Sequence, residues 1–207
     1  MGHHEHGHGH GHGRDALGNP EDLAEYLARL ESPERSEWQR PDEVVEALGL
    51  TRGGLVCDVG AGPGYFTVRL ARAVGPEGKV FAIEAEPRMI EVLRARLAHA
   101  GVGNVHALLA HDGAGLPPEP VDRVLMVNAF HHFEAGGAYL RALGGRLRPG
   151  GVIVNVDFHD GELPVGPPPD HKIARERFLE IAAGAGLRVV DEQTFLPYQY
   201  FLALAPA

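Results

Sequence analysis

The chain has 207 residues, enough for one α/β domain with a short appendage and a substantial buried core. Its formal net charge of −9, with no visible basic stripe, argues against a nucleic-acid partner. The single cysteine, Cys57, excludes an internal disulfide, and no apolar run approaches the ~18 residues of a membrane span, so we expect no membrane partner.

The N-terminal segment from Met1 to Gly13 is rich in glycine and contains six histidines. Such a composition cannot bury enough apolar surface to fold alone, so we predict a disordered tail over residues 1–14. It is either a purification tag or a natural tail. Imidazoles within His3–His12 suit adventitious binding of Zn²⁺, Ni²⁺ or Cu²⁺, and we expect no catalytic metal. The segment lacks the apolar core of a signal peptide, which predicts a cytoplasmic location.

Residues 15–50 are predicted to form a small helical cap. A first helix has apolar residues at helical spacing, namely Leu23, Tyr26, Leu27 and Leu30. A second begins at Pro41, where proline and two following acids suit a helix N-terminus. Trp38, between the two helices, either faces a ligand or fastens the cap to the core.

Residues 51–207 alternate between strand-like and helix-like segments, which indicates βαβ units and a parallel sheet. The predicted strands are Leu55–Val59, Lys79–Ile83, Val105–Ala110, Arg123–Val127, Gly151–Val156, Leu187–Thr194 and Tyr198–Ala205. The predicted helices begin near Tyr65, Pro87 and Ala138, and a further one spans His171–Ala185. Only three residues join the last two strands, so these must pair antiparallel. We predict a doubly wound, Rossmann-like sheet of seven strands, mostly parallel, with a C-terminal antiparallel hairpin.

A glycine-rich loop follows the first predicted strand. Gly60, Gly62 and Gly64 fall at every second position after Asp58, and without a Cβ they let a ligand lie on the main chain. A dinucleotide fingerprint, G-x-G-x-x-G, requires its third glycine where this chain has Tyr65. The spacing G-x-G-x-G is instead typical of enzymes that bind S-adenosylmethionine (SAM).

Through this loop the chain resembles the class I SAM-dependent methyltransferases, over about residues 37–205. Phe130–Phe133 and Leu147–Gly151 resemble the branch that contains quinone C-methyltransferases, the methyltransferase type 11 group. Three further segments resemble a bacterial subgroup, and this resemblance does not identify a substrate. The segments are Glu37–Val44, Pro168–His171 and Phe195–Phe201. The resemblance implies S-adenosyl-L-methionine as cofactor, with the N-terminal helices covering cofactor and substrate.

The resemblance also implies roles for single residues. The turn formed by Gly60, Ala61, Gly62 and Gly64 would support the methionyl group and ribose of SAM. Glu84, after the second strand, would accept hydrogen bonds from the two ribose hydroxyls, since two carboxylate oxygens match two vicinal hydroxyls. We expect its neighbour Glu86 to be exposed.

Three more polar residues are assigned to the cofactor. Asp112, after the third strand, would accept a hydrogen bond from the adenine amino group. Asp58 either orients the glycine loop or the amino group of SAM, or has a purely structural role. Asn128, at the end of the fourth strand, would hold the amino-acid end of SAM through its side chain or its backbone.

A general base is needed only if the methyl acceptor arrives protonated. His131 and His132, beyond the fourth strand, are the first candidates, and either of them could equally be a packing residue. Asp157 and His159, after the fifth strand, form a second candidate pair. Tyr198 and Tyr200 alternate on the last strand, so we expect both to share one face and to pack in the core.

The function favoured by these features is methyl transfer from SAM to a small-molecule acceptor, by a monomer or homodimer. A protein or nucleic-acid methyltransferase is the alternative enzyme. Nucleic-acid enzymes that methylate amino groups commonly carry an Asn/Asp-Pro-Pro-aromatic motif where this chain has Asn128–His131. A third hypothesis, from another class, is a SAM-binding regulatory or metal-handling protein that uses the histidine-rich tail.

Overall fold

The computed structural model describes residues 23–110 and 115–207. The helices are α1 (Leu23–Leu30), α2 (Arg35–Gln39), α3 (Pro41–Ala47), α4 (Thr67–Val74), α5 (Pro87–Ala100), α6 (Gly136–Gly144) and α7 (Arg175–Gly184). The strands are β1 (Leu55–Val59), β2 (Lys79–Glu84), β3 (Val105–Leu109), β4 (Val121–Val127), β5 (Leu147–Phe158), β6 (Leu187–Gln193) and β7 (Gln199–Pro206). The histidine-rich tail lies outside the described residues. Within them, no helix has the length and apolar character that would let it cross a membrane.

These strands form one sheet in the order β3-β2-β1-β4-β5-β7-β6. Strands β1 to β5 pair in parallel, and β7 runs antiparallel to both β5 and β6. The predicted mostly parallel, seven-stranded sheet with a C-terminal hairpin is confirmed. The order reverses at β1, whose two neighbours are β2 and β4, and this reversal opens a crevice at the carboxyl ends of the strands.

Helices cover both faces of the sheet. On one face, α6 and α7 contribute Leu140, Leu143 and Phe178 to a core that includes Met126 of β4. On the other face, α3 and α4 pack on β1 and β2, and α5 continues this layer. A parallel strand buried on both faces is apolar along its whole length, which is why β1 reads as one nearly continuous apolar run.

Several elements differ from their predicted bounds. β5 begins at Leu147 and ends at Phe158, so Asp157 lies inside the strand rather than after it. α7 begins at Arg175, because the segment before it forms a separate 3₁₀ turn over Pro169–His171. The five-residue helix α2 was not predicted, since one turn and a half carries too little apolar periodicity to be recognised. The division of the chain at residues 14 and 50 stays a prediction.

Candidate functional site

The carboxyl ends of the parallel strands meet at one edge of the sheet. β1 ends at Val59, β2 at Glu84, β4 at Val127 and β5 at Phe158. The loops that follow these four ends carry most of the residues predicted for the site. Ligands of open α/β sheets bind at this edge, so the topology alone brings the glycine loop, Glu84 and the His131 turn together.

The glycine loop is fastened to the end of β2. The backbone N–H groups of Gly60 and Ala61 donate to the carbonyl of Ile83 at 2.9 and 3.0 Å, and Gly64 N donates to Ala61 O at 3.0 Å. The loop is therefore a closed turn with few backbone atoms free to shift. A turn of this kind presents a preformed surface to a ligand.

The three glycines have different surroundings. A Cβ on Gly60 would lie 2.6 Å from Ala129 Cβ, and one on Gly64 would lie 2.6 Å from Leu93 Cδ1. A Cβ on Gly62 would meet no atom of the described residues within 4 Å, and the residue has a φ of +55°. Gly60 and Gly64 thus serve the packing of the protein, whereas Gly62 is the one of the three that faces open space. That space fits a ligand lying on the loop.

Glu84 stands where the family's ribose-binding acid is expected. Its Oε2 accepts a hydrogen bond from Gly62 N at 2.8 Å, and its Oε1 accepts from Ala85 N and Glu86 N at 2.7 and 2.9 Å. The carboxylate is therefore held by backbone N–H groups beside the open side of the loop. The expectation that Glu86 is exposed is wrong: only 8% of it is accessible, because it caps α5 by accepting from Arg88 N. Asp112, predicted for adenine, lies outside the described residues.

Asp58 is buried beneath the loop at the end of β1. Its Oδ2 accepts a hydrogen bond from Thr67 Oγ1 at 2.6 Å, which joins the strand to the first turn of α4. Burial, opposed in part by this hydrogen bond, raises the pKa of Asp58 to about 6. The side chain of Asp58 thus connects the strand before the glycine loop to the helix after it.

Asn128 is half-buried and belongs, with the buried Gln39 and Gln199, to a set of side-chain amides that the sequence did not reveal. Gln199 Nε2 donates to Asn128 Oδ1 at 2.5 Å, and Gln39 Nε2 donates to Gln199 Oε1 at 2.5 Å. Asn128 Nδ2 approaches Gln39 Oε1 at 3.4 Å and closes the ring. Asn128 also has a φ of +54°, and its backbone N donates to Val156 O. The amide ring ties the cap helix α2 to the ends of β4 and β7.

His131 contacts Asp157 across the boundary between β4 and β5. Its Nδ1 lies 3.0 and 3.1 Å from the two carboxylate oxygens of Asp157, which is fully buried and also accepts from Phe158 N at 2.9 Å. The ring of His132 lies 4.1 Å from that of His131, centroid to centroid. The predicted pair of Asp157 and His159 is replaced by Asp157 with His131.

Aromatic residues line the same edge. The ring of Trp38 lies 5.6 Å from that of Phe158 and remains partly exposed, so it fastens the cap to β5. Tyr200 is buried in the core, as predicted, whereas Tyr198 precedes β7 and does not alternate with it on the strand.

Within residues 23–110 and 115–207, no group of three or more His, Cys, Asp or Glu side chains has a metal-binding arrangement.

The fold and the loop have close counterparts among known proteins. A family model described as "Methyltransferase domain" matches residues 56–151, which contain the glycine loop, Glu84 and His131. A crystal structure of a SAM-dependent methyltransferase from Aquifex aeolicus superposes with a TM-score of 0.80 and 27% identity, over 87% of this chain and 96% of that one. Residues 56–151 thus match a methyltransferase domain, and the chain resembles the class I SAM-dependent methyltransferases.

The curated relatives that the chain matches are named for different acceptors. A protein-L-isoaspartate O-methyltransferase from Ignicoccus hospitalis is 38% identical over 112 residues, 54% of this chain and 50% of the relative. A ubiquinone/menaquinone biosynthesis C-methyltransferase from Pasteurella multocida is 29% identical over 123 residues, 58% of this chain and 45% of the relative. The chain thus spans about half the length of these relatives.

The geometry of the site fits SAM, the cofactor of the proteins that the chain resembles. Gly62 offers the open surface on which its methionyl and ribose parts would lie, and the adjacent Glu84 carboxylate suits vicinal hydroxyls. The spacing of the glycines and the open surface at Gly62 therefore point to the same cofactor.

Proposed function

We propose that this protein transfers the methyl group of SAM to a small-molecule acceptor whose nucleophilic atom arrives protonated, with His131 as the general base. When bound, SAM supplies a methyl group already activated by its sulfonium. The protein then has two tasks: to align the acceptor and to remove its proton. The contact between His131 and Asp157 is the observation that carries this proposal.

The geometry of that contact suits a base. A proton on His131 Nδ1 donates to the Asp157 carboxylate and leaves the lone pair on Nε2, which is the arrangement of an oriented base. Asp157 is fixed in turn by the N–H of Phe158 and by its position in β5. The carboxylate also stabilises the imidazolium that forms when Nε2 accepts a proton. His132, whose ring lies against that of His131, stays a second candidate.

The cofactor roles inferred from the sequence complete the proposal. Glu84 would hold the ribose hydroxyls and Asp112 the adenine amino group, while the backbone of Gly60, Ala61, Gly62 and Gly64 would support the donor. Asp58, buried and bonded to Thr67, would act mainly by holding the loop. The side chain of Asn128 is engaged with Gln199, so its carbonyl is the group left for the ammonium of SAM.

A protein carboxyl group is the second candidate acceptor. The similarity to protein-L-isoaspartate O-methyltransferases favours it, and the similarity to quinone C-methyltransferases favours a small molecule. The chemistry separates them. A carboxylate is already ionised at neutral pH and needs no base, whereas a phenol, an alcohol or a carbon acid does. The buried Asp157 beside His131 supports the acceptors that need one.

The test is release of S-adenosylhomocysteine from a panel of phenols, hydroxylated quinone precursors and isoaspartyl peptides. With the acceptor that turns over, His131→Asn is expected to lower kcat by roughly 10²–10⁴-fold at neutral pH. His99→Asn, at an exposed position on α5, is the matched control and is expected to leave kcat unchanged. Turnover of only the isoaspartyl peptide, with no effect of His131→Asn, would favour the second candidate. Absence of SAM binding by calorimetry would overturn both.

A further inference from the structure

Arg35, in α2, is a buried cation. Only 8% of the residue is exposed, and within residues 23–110 and 115–207 its guanidinium makes no ion pair with a carboxylate. Its Nη1 donates to Leu30 O at 2.8 Å, while Nε and Nη2 both reach Gln39 Oε1 at a long 3.4 Å. A charge removed from water with such weak compensation is unfavourable. A ligand that brings a negative charge would relieve it.

A hydroxyl group without a hydrogen-bond partner among the described residues lies against Arg35. The guanidinium carbon is 4.1 Å from the ring centroid of Tyr65, and the hydroxyl of Tyr65 is buried with no hydrogen-bond partner among the described residues. Tyr65 directly follows Gly64, the last glycine of the loop. Among the described residues, a buried guanidinium without a carboxylate partner and a hydroxyl without a hydrogen-bond partner therefore lie side by side at the end of the glycine loop.

The other charges around the loop are already engaged. Glu84 accepts three backbone N–H groups, and Asp58 accepts from Thr67. Arg69 stacks on the same Tyr65 ring at 4.5 Å, but it pairs with the carboxylate of Asp42 at 3.0 Å. Arg35 differs from this neighbour in having only neutral oxygens around its guanidinium within the described chain.

We propose that Arg35, assisted by the hydroxyl of Tyr65, binds the α-carboxylate of the methionyl group of SAM. The inference rests on the proposed function, because it requires that SAM lie on the glycine loop. A guanidinium presents two parallel N–H donors that match a carboxylate. Burial lowers the pKa of Arg35 to about 10, so the group is still protonated at neutral pH.

The position of Arg35 favours the donor's carboxylate over one on the acceptor. The ribose of SAM is expected beside Glu84, at the end of β2. Gln39 accepts a hydrogen bond from Arg35 and also contacts Asn128 at the end of β4, where the amino-acid end of SAM is expected. Arg35 therefore lies toward the amino-acid end of the donor, one turn of helix from the amide ring.

The test compares SAM with decarboxylated SAM, which lacks only the group in question, by calorimetry on the full chain. The parent protein is expected to bind SAM more tightly. In Arg35→Met the affinity for SAM should fall by roughly 100-fold, while that for decarboxylated SAM stays unchanged, so the preference disappears. Arg35→Lys keeps the positive charge but loses the two parallel N–H donors, so it should retain part of the preference for SAM. Tyr65→Phe should reduce the preference by a smaller factor.

Arg69→Met is the matched control, because it removes an arginine from the same aromatic ring, and it should leave the preference intact. Equal weakening of both ligands in Arg35→Met would overturn the proposal and assign Arg35 a structural role. A preference for SAM that survives Arg35→Met would overturn it as well. A raised KM for acidic acceptors with unchanged SAM binding would assign the cation to the acceptor and so contradict it. If the parent binds neither ligand, the proposed function itself fails, which is a separate outcome.

Discussion

Gln39 Nε2 donates to Gln199 Oε1, joining two residues that are 160 positions apart in the chain. Both side chains are almost completely buried, at 0% and 1% exposure. One belongs to the cap helix α2 and the other begins β7, so this hydrogen bond fastens the cap onto the sheet edge that carries the site. The same Gln39 accepts from Arg35, which links cap closure to the proposed carboxylate subsite.

Replacing Gln39 should loosen the cap. Gln39→Ala leaves the amide of Gln199 and the guanidinium of Arg35 with fewer partners, and we expect a loss of about 1–3 kcal/mol in the free energy of unfolding. Limited proteolysis should cut sooner before residue 40, and SAM affinity should fall. Gln193→Ala, at the end of the edge strand β6, is the control and should change stability by less than about 0.5 kcal/mol. Equal effects of the two substitutions would contradict a special role for the amide ring.

The buried carboxyl of Asp58 should make stability depend on pH. Its folded pKa of about 6 exceeds its ordinary value of 3.8, so the folded state holds this proton more tightly than the unfolded state. The parent protein should therefore lose stability relative to Asp58→Asn as the pH rises from about 4 to above 6, by about 3 kcal/mol in all. Urea unfolding of both proteins at several pH values measures this difference. A difference that stays constant with pH would show that Asp58 has an unshifted pKa.

The carboxylate of Glu84 should contribute more to the affinity for SAM than the carboxylate of a nearby exposed acid. Glu84→Gln replaces one acceptor oxygen by a donor, so we expect SAM to bind roughly 10-fold more weakly, the effect of about one charged hydrogen bond. Glu91→Gln on the exposed face of α5 is the matched control, with no expected change. Calorimetry with SAM measures both variants. If the parent instead bound NADH, the assignment from glycine spacing would be wrong.

Two glycines of the same loop should respond differently to alanine. Gly60→Ala forces a Cβ to within 2.6 Å of Ala129 Cβ, and we expect it to destabilise the fold by about 2–4 kcal/mol. Gly62→Ala meets no atom of the described structure within 4 Å and adopts a left-handed conformation at a cost of about 1–2 kcal/mol.

The larger effect of Gly62→Ala should appear in binding, because its methyl group would occupy the open surface of the loop. Thermal melting with and without SAM separates the two effects. Stabilisation by SAM should be mostly lost in Gly62→Ala. If Gly62→Ala keeps the full stabilisation, SAM does not lie on that surface.

Local patterns were sufficient for most of the fold. β1 has the predicted bounds, Leu55–Val59, because a strand buried on both faces is a nearly continuous apolar run, here interrupted only by Asp58, that ends where the glycine loop begins. The antiparallel hairpin followed from the short link between the last two strands. The position of Glu84 at the end of β2 followed from the same reasoning, since it needs only the order of elements along the chain.

Contacts between distant segments could not be predicted in this way. Proximity in the sequence favours the pair of Asp157 and His159, whereas the parallel pairing of β4 with β5 brings Asp157 to His131. Glu86 was expected to be exposed, and its burial depends on its role as the cap of α5.

Features that can be recognised along the chain are enough to predict a SAM-binding methyltransferase domain. They are the loop that carries Gly60, Gly62 and Gly64, the acid Glu84 and the order of the strands. Which polar groups contact one another depends instead on how distant segments pack together. Arg35 lies in a helix of five residues with no recognisable pattern, and its lack of an ion pair within the described residues depends on everything packed around it. Whether a side chain is buried, and whether an opposite charge lies beside it, depends on residues that are far apart in the sequence. No local pattern therefore predicts either property.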